Sequence, residues 1–114
     1  TQWSVIGNKL YLEVRQRSCD VALGLVANVF QYSVLHKLVA MECGLEPADI
    51  IWSIHNVHIY DRHMPVLLEQ IKREEFEGAI LKIENFTSIY DFKPDDVVVE
   101  NYKYGDKISY EVAI

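Results

Sequence analysis

The run Arg15-Gln16-Arg17-Ser18 is the one concentrated basic patch of the sequence. Arginine forks hold a phosphate or carboxylate at two points, and a neighbouring hydroxyl adds a donor. A strand that carries surface arginines for solubility is the alternative use. Downstream, Asn28 stands among Leu25, Val26, Ala27, Val29 and Phe30, an apolar setting in which an unpaired amide costs roughly 1–3 kcal/mol. Its amide therefore has a partner inside the protein or meets a ligand. Gly24 lies one helical turn before Asn28, and Asp20 one turn before that. A helical path puts the three on one face, with a gap at the glycine. On a strand, His58 and Tyr60 share a face. His55 and His58 point to opposite sides, so with His63 they fit no standard zinc spacing and no metal is expected. Cys19, beside Arg17 and Asp20, is either a thiol activated by the arginine or an inert buried one.

These side chains need elements to position them. From Lys9 to Ser18 the residues alternate, with Leu10, Leu12 and Val14 on one face and Tyr11, Glu13, Arg15 and Arg17 on the other, which predicts a strand buried on one side. Asp20 reads as the N-cap of a long helix, Val21 to Cys43, stopped by Gly44. Its first half is apolar nearly all round and is expected to be buried. Its second half, with Gln31, His36, Lys37 and Glu42, is expected to meet water. Residues 50–60 predict a second strand, Met64 to Glu74 a short amphipathic surface helix, and Gly78 to Glu84 a third strand. Two more strands are expected at 96–102 and 107–114, joined by a turn over Lys103 to Asp106. The sum is α+β: a mixed or antiparallel sheet packed on one long buried helix plus a shorter surface helix.

Composition narrows the function classes. The chain has 114 residues, half of them apolar and a quarter charged, an ordinary mixture for one globular domain. By surface scaling such a domain hides roughly two-thirds of what its unfolded chain exposes. Eleven basic against seventeen acidic residues give a net charge of −6, which disfavours nucleic acid polymers as partners. The apolar run from Val21 to Phe30 is too short to span a bilayer, so no membrane association is expected. No charged-then-apolar leader opens the sequence, and Cys19 and Cys43 make no disulfide framework. A cytoplasmic location is expected. The chain starts at Thr1 rather than methionine, which reads as the mark of a removed segment or of a longer protein.

The segment Gln16-Arg17-Ser18-Cys19-Asp20, followed by Leu23-Gly24-Leu25, Asn28 and His58-Ile59-Tyr60, resembles the thymidylate synthases. The stretch from Tyr90-Asp91-Phe92 to Ala113-Ile114 is similar to their C-terminal end. The resemblance covers residues 1–114 and identifies them with the C-terminal portion of a thymidylate-synthase-like domain. It implies an enzyme that methylates deoxyuridylate (dUMP) to thymidylate (dTMP), with 5,10-methylenetetrahydrofolate as one-carbon donor and reductant. On that basis Arg17 and Ser18 hold the nucleotide phosphate, and Arg17 also lies near the nucleophilic thiol. Asn28 bonds the uracil edge and steadies the developing enolate. His58 and Tyr60 grip the deoxyribose hydroxyl. Asp20 and Gly24 lie near the folate ring, and Ala113-Ile114 belongs to a tail that closes over it.

The implied catalytic set is thus Asn28, Asp20 and Arg17 with a nucleophilic cysteine, which the family carries a few residues before the position of Thr1. Cys19 matches a second cysteine that is not the nucleophile. The resemblance also implies a homodimer. Ile54-His55-Asn56 stands where the family commonly has Gly-Gly-Asp, and Val26-Ala27 where Pro-Phe is common. The isolated chain is expected to be inactive, because activating the pyrimidine needs the thiolate. Two other readings remain open: a nucleotide-binding module without chemistry, and a self-associating module that covers exposed apolar surface.

Overall fold

The chain opens on a hairpin that its alternating residues anchor. In the computed structural model, which describes residues 1–112, β1 (Gln2–Ile6) pairs antiparallel with β2 (Lys9–Asp20). Gly7, at φ +63°, takes the tight turn between them. Leu10, Leu12 and Val14 are all buried, as the alternation of β2 predicts. β1 itself escapes the pattern, because Val5 and Ile6 are both exposed and no apolar face alternates along it.

After β2 a turn at 21–24 leads into α1 (Leu25–Glu42), and the chain returns as β3 (Glu46–His58), parallel to β2. Helix α1 is therefore the crossover of a strand–helix–strand unit. Its expected start needs correcting. Asp20 is the last residue of β2 and does cap backbone N–H groups, those of Ala22 and Leu23, at 2.9 and 3.4 Å. The capped segment is a turn, however, and Gly24 is the N-cap of the helix proper. Glycine is a poor helix former, so the regular helix begins only beyond it. The C-terminal end follows the expectation: Cys43 is the cap and Gly44 turns the chain at φ +64°.

Burial along α1 is the reverse of the expectation. Val26, Val29 and Phe30 are exposed, whereas His36, Leu38 and Ala40 are buried. Both halves of the helix touch the sheet: Asn28 and Tyr32 of the first meet Gln16 and Trp52, and His36 of the second meets Leu10. His36 is accommodated because its Nε2 donates to the Leu10 carbonyl at 2.8 Å. That carbonyl lies where the β2–β3 register shifts, opposite Pro47, which has no N–H to offer. The exposed first half of α1 borders an open groove, lined by Leu25, Val26, Val29 and Phe30 on the helix and by Ala79, Leu81 and Val99 from later in the chain.

Beyond β3, a 3₁₀ turn (Asp61–His63) leads into the short α2 (Met64–Gln70). Next, β4 (Ile80–Ile83) and β5 (Val97–Glu100) form a separate antiparallel pair. Asn101, at φ 56°, turns the chain out of β5. The hairpin expected over Lys103 to Asp106 is not formed, because residues 107–112 make no ladder; 113–114 lie outside the described residues. Side-chain bonds hold this stretch against α2 instead. Arg73 Nη1 donates to the Asp106 carbonyl at 2.7 Å, and the Tyr110 hydroxyl bonds Gln70 Oε1. The class is α+β with a mixed three-stranded sheet, a second two-stranded sheet and two helices. No described helix is long and apolar enough to cross a membrane.

The fully buried apolar set is small: Leu10, Leu12, Val14, Cys19, Leu38 and Ala40. The accessible surface is 8483 Å², against roughly 6,400 Å² for a compact monomer of this mass. The expectation of an ordinarily well-buried domain therefore fails. Much of the apolar content lies in faces that no described element covers.

Candidate functional site

The parallel pairing of β2 with β3 brings the chemistry together. It sets Ser18 opposite Asn56, Cys19 opposite Val57 and Asp20 opposite His58. The carboxyl ends of two parallel strands and the start of the crossover helix thus converge, which is where ligands bind in sheets of this kind. Ile54-His55-Asn56 does not interrupt β3, which runs on in register to His58. The Val21 N–H donates to the His58 carbonyl at 3.0 Å and ties the turn at 21–24 to the end of β3.

Asn28 projects from the first turns of α1 and is half-buried. Its Oδ1 accepts from Gln16 Nε2 at 3.0 Å. That nitrogen also donates to the Ser18 carbonyl at 2.9 Å, and Gln16 Oε1 accepts from Trp52 Nε1 at 2.9 Å. An indole can only donate. Trp52 therefore fixes the Gln16 amide with its NH₂ toward Asn28, and Gln16 in turn fixes the Asn28 amide. Tyr32 holds the indole edge-on at 5.1 Å. Of the two alternatives for Asn28 the structure shows the internal partner: Oδ1 is bonded inside the protein, while Nδ2 makes no hydrogen bond among the described residues.

Gly24 lies between Asp20 and Asn28 as the helical spacing predicts. Its N–H donates to the Asp20 carbonyl at 2.8 Å and its carbonyl accepts from the Asn28 N–H at 2.9 Å. A Cβ at Gly24 would stand 3.1 Å from the Asp20 carbonyl oxygen and 3.5 Å from Asn28 Oδ1. The glycine is thus the space in which the turn and the Asn28 amide approach each other. Asp20 Oδ1 caps the turn, while Oδ2 has no hydrogen-bond partner among the described residues.

His58 and Tyr60 are neighbours as expected, their rings 5.3 Å apart and edge-to-face. Tyr60 lies just past the end of β3. His58 Nδ1 donates to the Asn56 carbonyl at 3.2 Å, which leaves Nε2 as an acceptor. The basic run divides by strand alternation. Arg15 pairs with Glu13 at 2.8 Å on the exposed face, the solubility role. Arg17 is exposed and forms no ion pair among the described residues. Alternation turns Arg17 to the face opposite Ser18 and Asp20, so the structure does not bring Arg17 and Ser18 onto one face. Cys19 is buried, and Cys43 lies exposed at the far end of α1. Ala113 lies outside the described residues.

Sequence reasoning missed Gln16 and Trp52 as the pair that orients Asn28, and His63 as anything other than a metal candidate. His63 is buried, and its ring meets those of Tyr60 and Tyr110 at 5.7 and 5.2 Å. No group of His, Cys, Asp and Glu among the described residues is placed to hold a metal ion. An open cleft of about 1210 Å³ borders the site at Ala22 and Val26 and extends along Tyr102, Tyr104 and Tyr110, but it takes in neither Asn28 nor His58.

Comparison with known proteins places this geometry. The profile of the thymidylate synthase family matches residues 1–114. A thymidylate synthase of Fusobacterium nucleatum is 79% identical over 114 residues, which are all of this chain and 42% of that protein. Thymidylate synthase 1 of Bacillus subtilis is 47% identical over 115 aligned positions, again all of this chain and 41% of that protein. Among solved structures, the thermostable thymidylate synthase A from Bacillus subtilis superposes with a TM-score of 0.94 at 46% identity, covering 99% of this chain and 41% of that one. The chain thus spans about two-fifths of the length of these relatives.

Proposed function

Since the chain belongs to the thymidylate synthase family, we propose that its residues form the pyrimidine-recognising and folate-facing part of an enzyme that methylates deoxyuridylate. The observation that carries this reading is the Asn28 amide held by Gln16 and Trp52 with Nδ2 left to donate. Next to that donor, Oδ1 keeps a second lone pair. A donor beside an acceptor complements the O4 and N3–H edge of uracil. Cytosine presents the opposite pattern at those positions, so an amide fixed this way selects uracil. The same Nδ2 stabilises negative charge that develops on O4 when the ring is attacked, and it does so without reorganising.

We assign the remaining roles by the resemblance to the family. His58 Nε2 and the Tyr60 hydroxyl serve the deoxyribose hydroxyl. Arg17 and Ser18 serve the phosphate from opposite sides of the end of β2. Asp20 fits the role of holding the reduced folate, since its Oδ2 is available to accept from ring N–H groups, and Gly24 beside it is assigned to the same cosubstrate. Bound 5,10-methylenetetrahydrofolate supplies the one-carbon unit and the reducing equivalents; Ala113 is assigned to the same cosubstrate. Neither cysteine of the chain is placed as the nucleophile, Cys19 being buried in the sheet and Cys43 remote. These 114 residues therefore bind and orient. In the assembled enzyme a second copy covers apolar surface, making a homodimer, and the two free thiols suit a cytoplasmic location.

Calorimetric titration with deoxyuridylate and deoxycytidylate tests the reading. The chain should bind deoxyuridylate at around millimolar Kd, about 4 kcal/mol, and in preference to deoxycytidylate. Asn28→Ala should remove that preference. Equal affinity for the two nucleotides would contradict it. The chain alone, given deoxyuridylate and the folate, should form no dihydrofolate; turnover would return Cys19 to the role of nucleophile.

A further inference from the structure

His63 is 1% exposed and stands between two parts of the molecule that are distant in sequence. On one side its Nε2 lies 2.7 Å from the Glu111 carbonyl. A carbonyl can only accept, so Nε2 carries the proton and donates. On the other side its Nδ1 faces Asp20 Oδ1 at 3.9 Å, within reach of an ion pair and too far for a hydrogen bond. Nδ1 is also a buried side-chain atom without a hydrogen-bond partner among the described residues. The ring is clamped edge-on by Tyr60 and Tyr110, at 80° and 69°. The His63 backbone N–H donates to the Tyr60 carbonyl at 2.8 Å, which fixes where the side chain starts. A second strap runs alongside, from the Tyr110 hydroxyl to Gln70.

We propose that His63 is a positioning residue that latches residues 106–112 onto the Asp20 end of the site, so that seating this segment sets what the Asp20 carboxylate faces. The Glu111 carbonyl sets the position of the ring, and the ring sets the surroundings of Asp20. The inference deepens the reading above, since it rests on Asp20 facing the folate. The latch bears first on the cosubstrate: it touches neither Asn28 nor Gln16, and the one nucleotide partner it does touch, Tyr60, keeps its backbone hydrogen bond from His63 in any side-chain variant.

Two variants separate the two ring nitrogens. His63→Asn keeps a polar atom near the Nδ1 position but is too short for Glu111, whereas His63→Gln keeps a donor near the Nε2 position. In the complete gene product that carries these residues, two quantities are measured: the KM of each substrate, and amide hydrogen exchange over 109–112. His63→Asn should raise the folate KM and the exchange rate about tenfold each, the loss of one hydrogen bond, with the deoxyuridylate KM within about twofold. His63→Gln should restore both to within about threefold of wild type. Gln70→Ala, at an exposed position, loosens the second strap without disturbing the core, so exchange over 109–112 and the folate KM should rise together.

A purely structural histidine gives another pattern. Both His63 variants then lose stability alike, and the two KM values move in step. That result, unchanged exchange in His63→Asn, or exchange without a folate effect in Gln70→Ala overturns the latch. Failure of the wild-type protein to use deoxyuridylate and folate overturns the proposed function instead, and the exchange comparison then still decides whether His63 ties down Glu111.

Discussion

At the scale of single residues, the orientation of one amide decides the proposed specificity. Trp52 can only donate, Gln16 must turn its oxygen to it, and Asn28 is left to present Nδ2. Breaking the relay has different consequences at each step. Gln16→Leu leaves the Trp52 N–H without its acceptor and should cost about 1–2 kcal/mol of stability by urea denaturation. It should also weaken deoxyuridylate binding several-fold, because the Asn28 amide is free to rotate. Gln16→Glu is more specific. A carboxylate still accepts from Trp52 but cannot donate to Asn28 Oδ1, so the Asn28 amide turns over and presents its oxygen. The ratio of deoxyuridylate to deoxycytidylate affinity should fall by about tenfold or more, one reversed hydrogen-bond pair; an unchanged ratio would refute the relay. Asn28 was legible in the sequence as a lone amide in an apolar run. Gln16 was not, since its role exists only once β2, α1 and β3 meet.

At the scale of elements, the crossover unit β2–α1–β3 builds the site, and two positions within it carry tests. Gly24→Ala puts a methyl 3.1 Å from the Asp20 carbonyl. The Asp20 carbonyl must give by a few tenths of an ångström, at about 1–3 kcal/mol by analogy with overpacked cores, and the shift passes to Asn28 through the Gly24 carbonyl that accepts its N–H. Lower thermal stability together with weaker nucleotide binding is the expected result of melting and titration; full tolerance would mean that the glycine is incidental. His36→Phe removes the donor that serves the Leu10 carbonyl beside Pro47. It should cost about 1–3 kcal/mol in urea denaturation while leaving nucleotide preference unchanged. Alternation made β2 legible from Leu10, Leu12 and Val14. The burial of α1 was not legible, because composition cannot say which half of an apolar helix is covered. The strand expected at 107–114 alternates in sequence, but over 107–112 no partner strand lies beside it among the described residues, and Tyr110 is tied to Gln70 by a side-chain bond instead.

At the scale of the whole molecule, the chain is more open than its length implies. Its radius of gyration is 16.3 Å, against about 13 Å for a compact domain of this size. Val26, Val29 and Phe30 on α1 and Val5 and Ile6 on β1 are among the exposed apolar side chains. Sedimentation should therefore show the isolated chain associating as concentration rises, and Val26→Glu with Phe30→Glu should reduce that association. A strict monomer at high concentration would count against apolar cover by a second copy. One clue to this openness stood in the sequence, where the resemblance extended over every residue and yet matched only the C-terminal portion of the family's proteins. On the proposed function, Asn28, fixed by Gln16, reads and activates the uracil ring. The direct measurement is deoxyuridylate-dependent dihydrofolate formation by the complete gene product that carries these residues, as wild type and as Asn28→Ala. The wild type should turn over, and the variant should lose about 10²–10³ in kcat, the effect of removing one donor aimed at a developing oxyanion. Wild-type turnover with an undiminished Asn28→Ala, or no turnover in either, would contradict it.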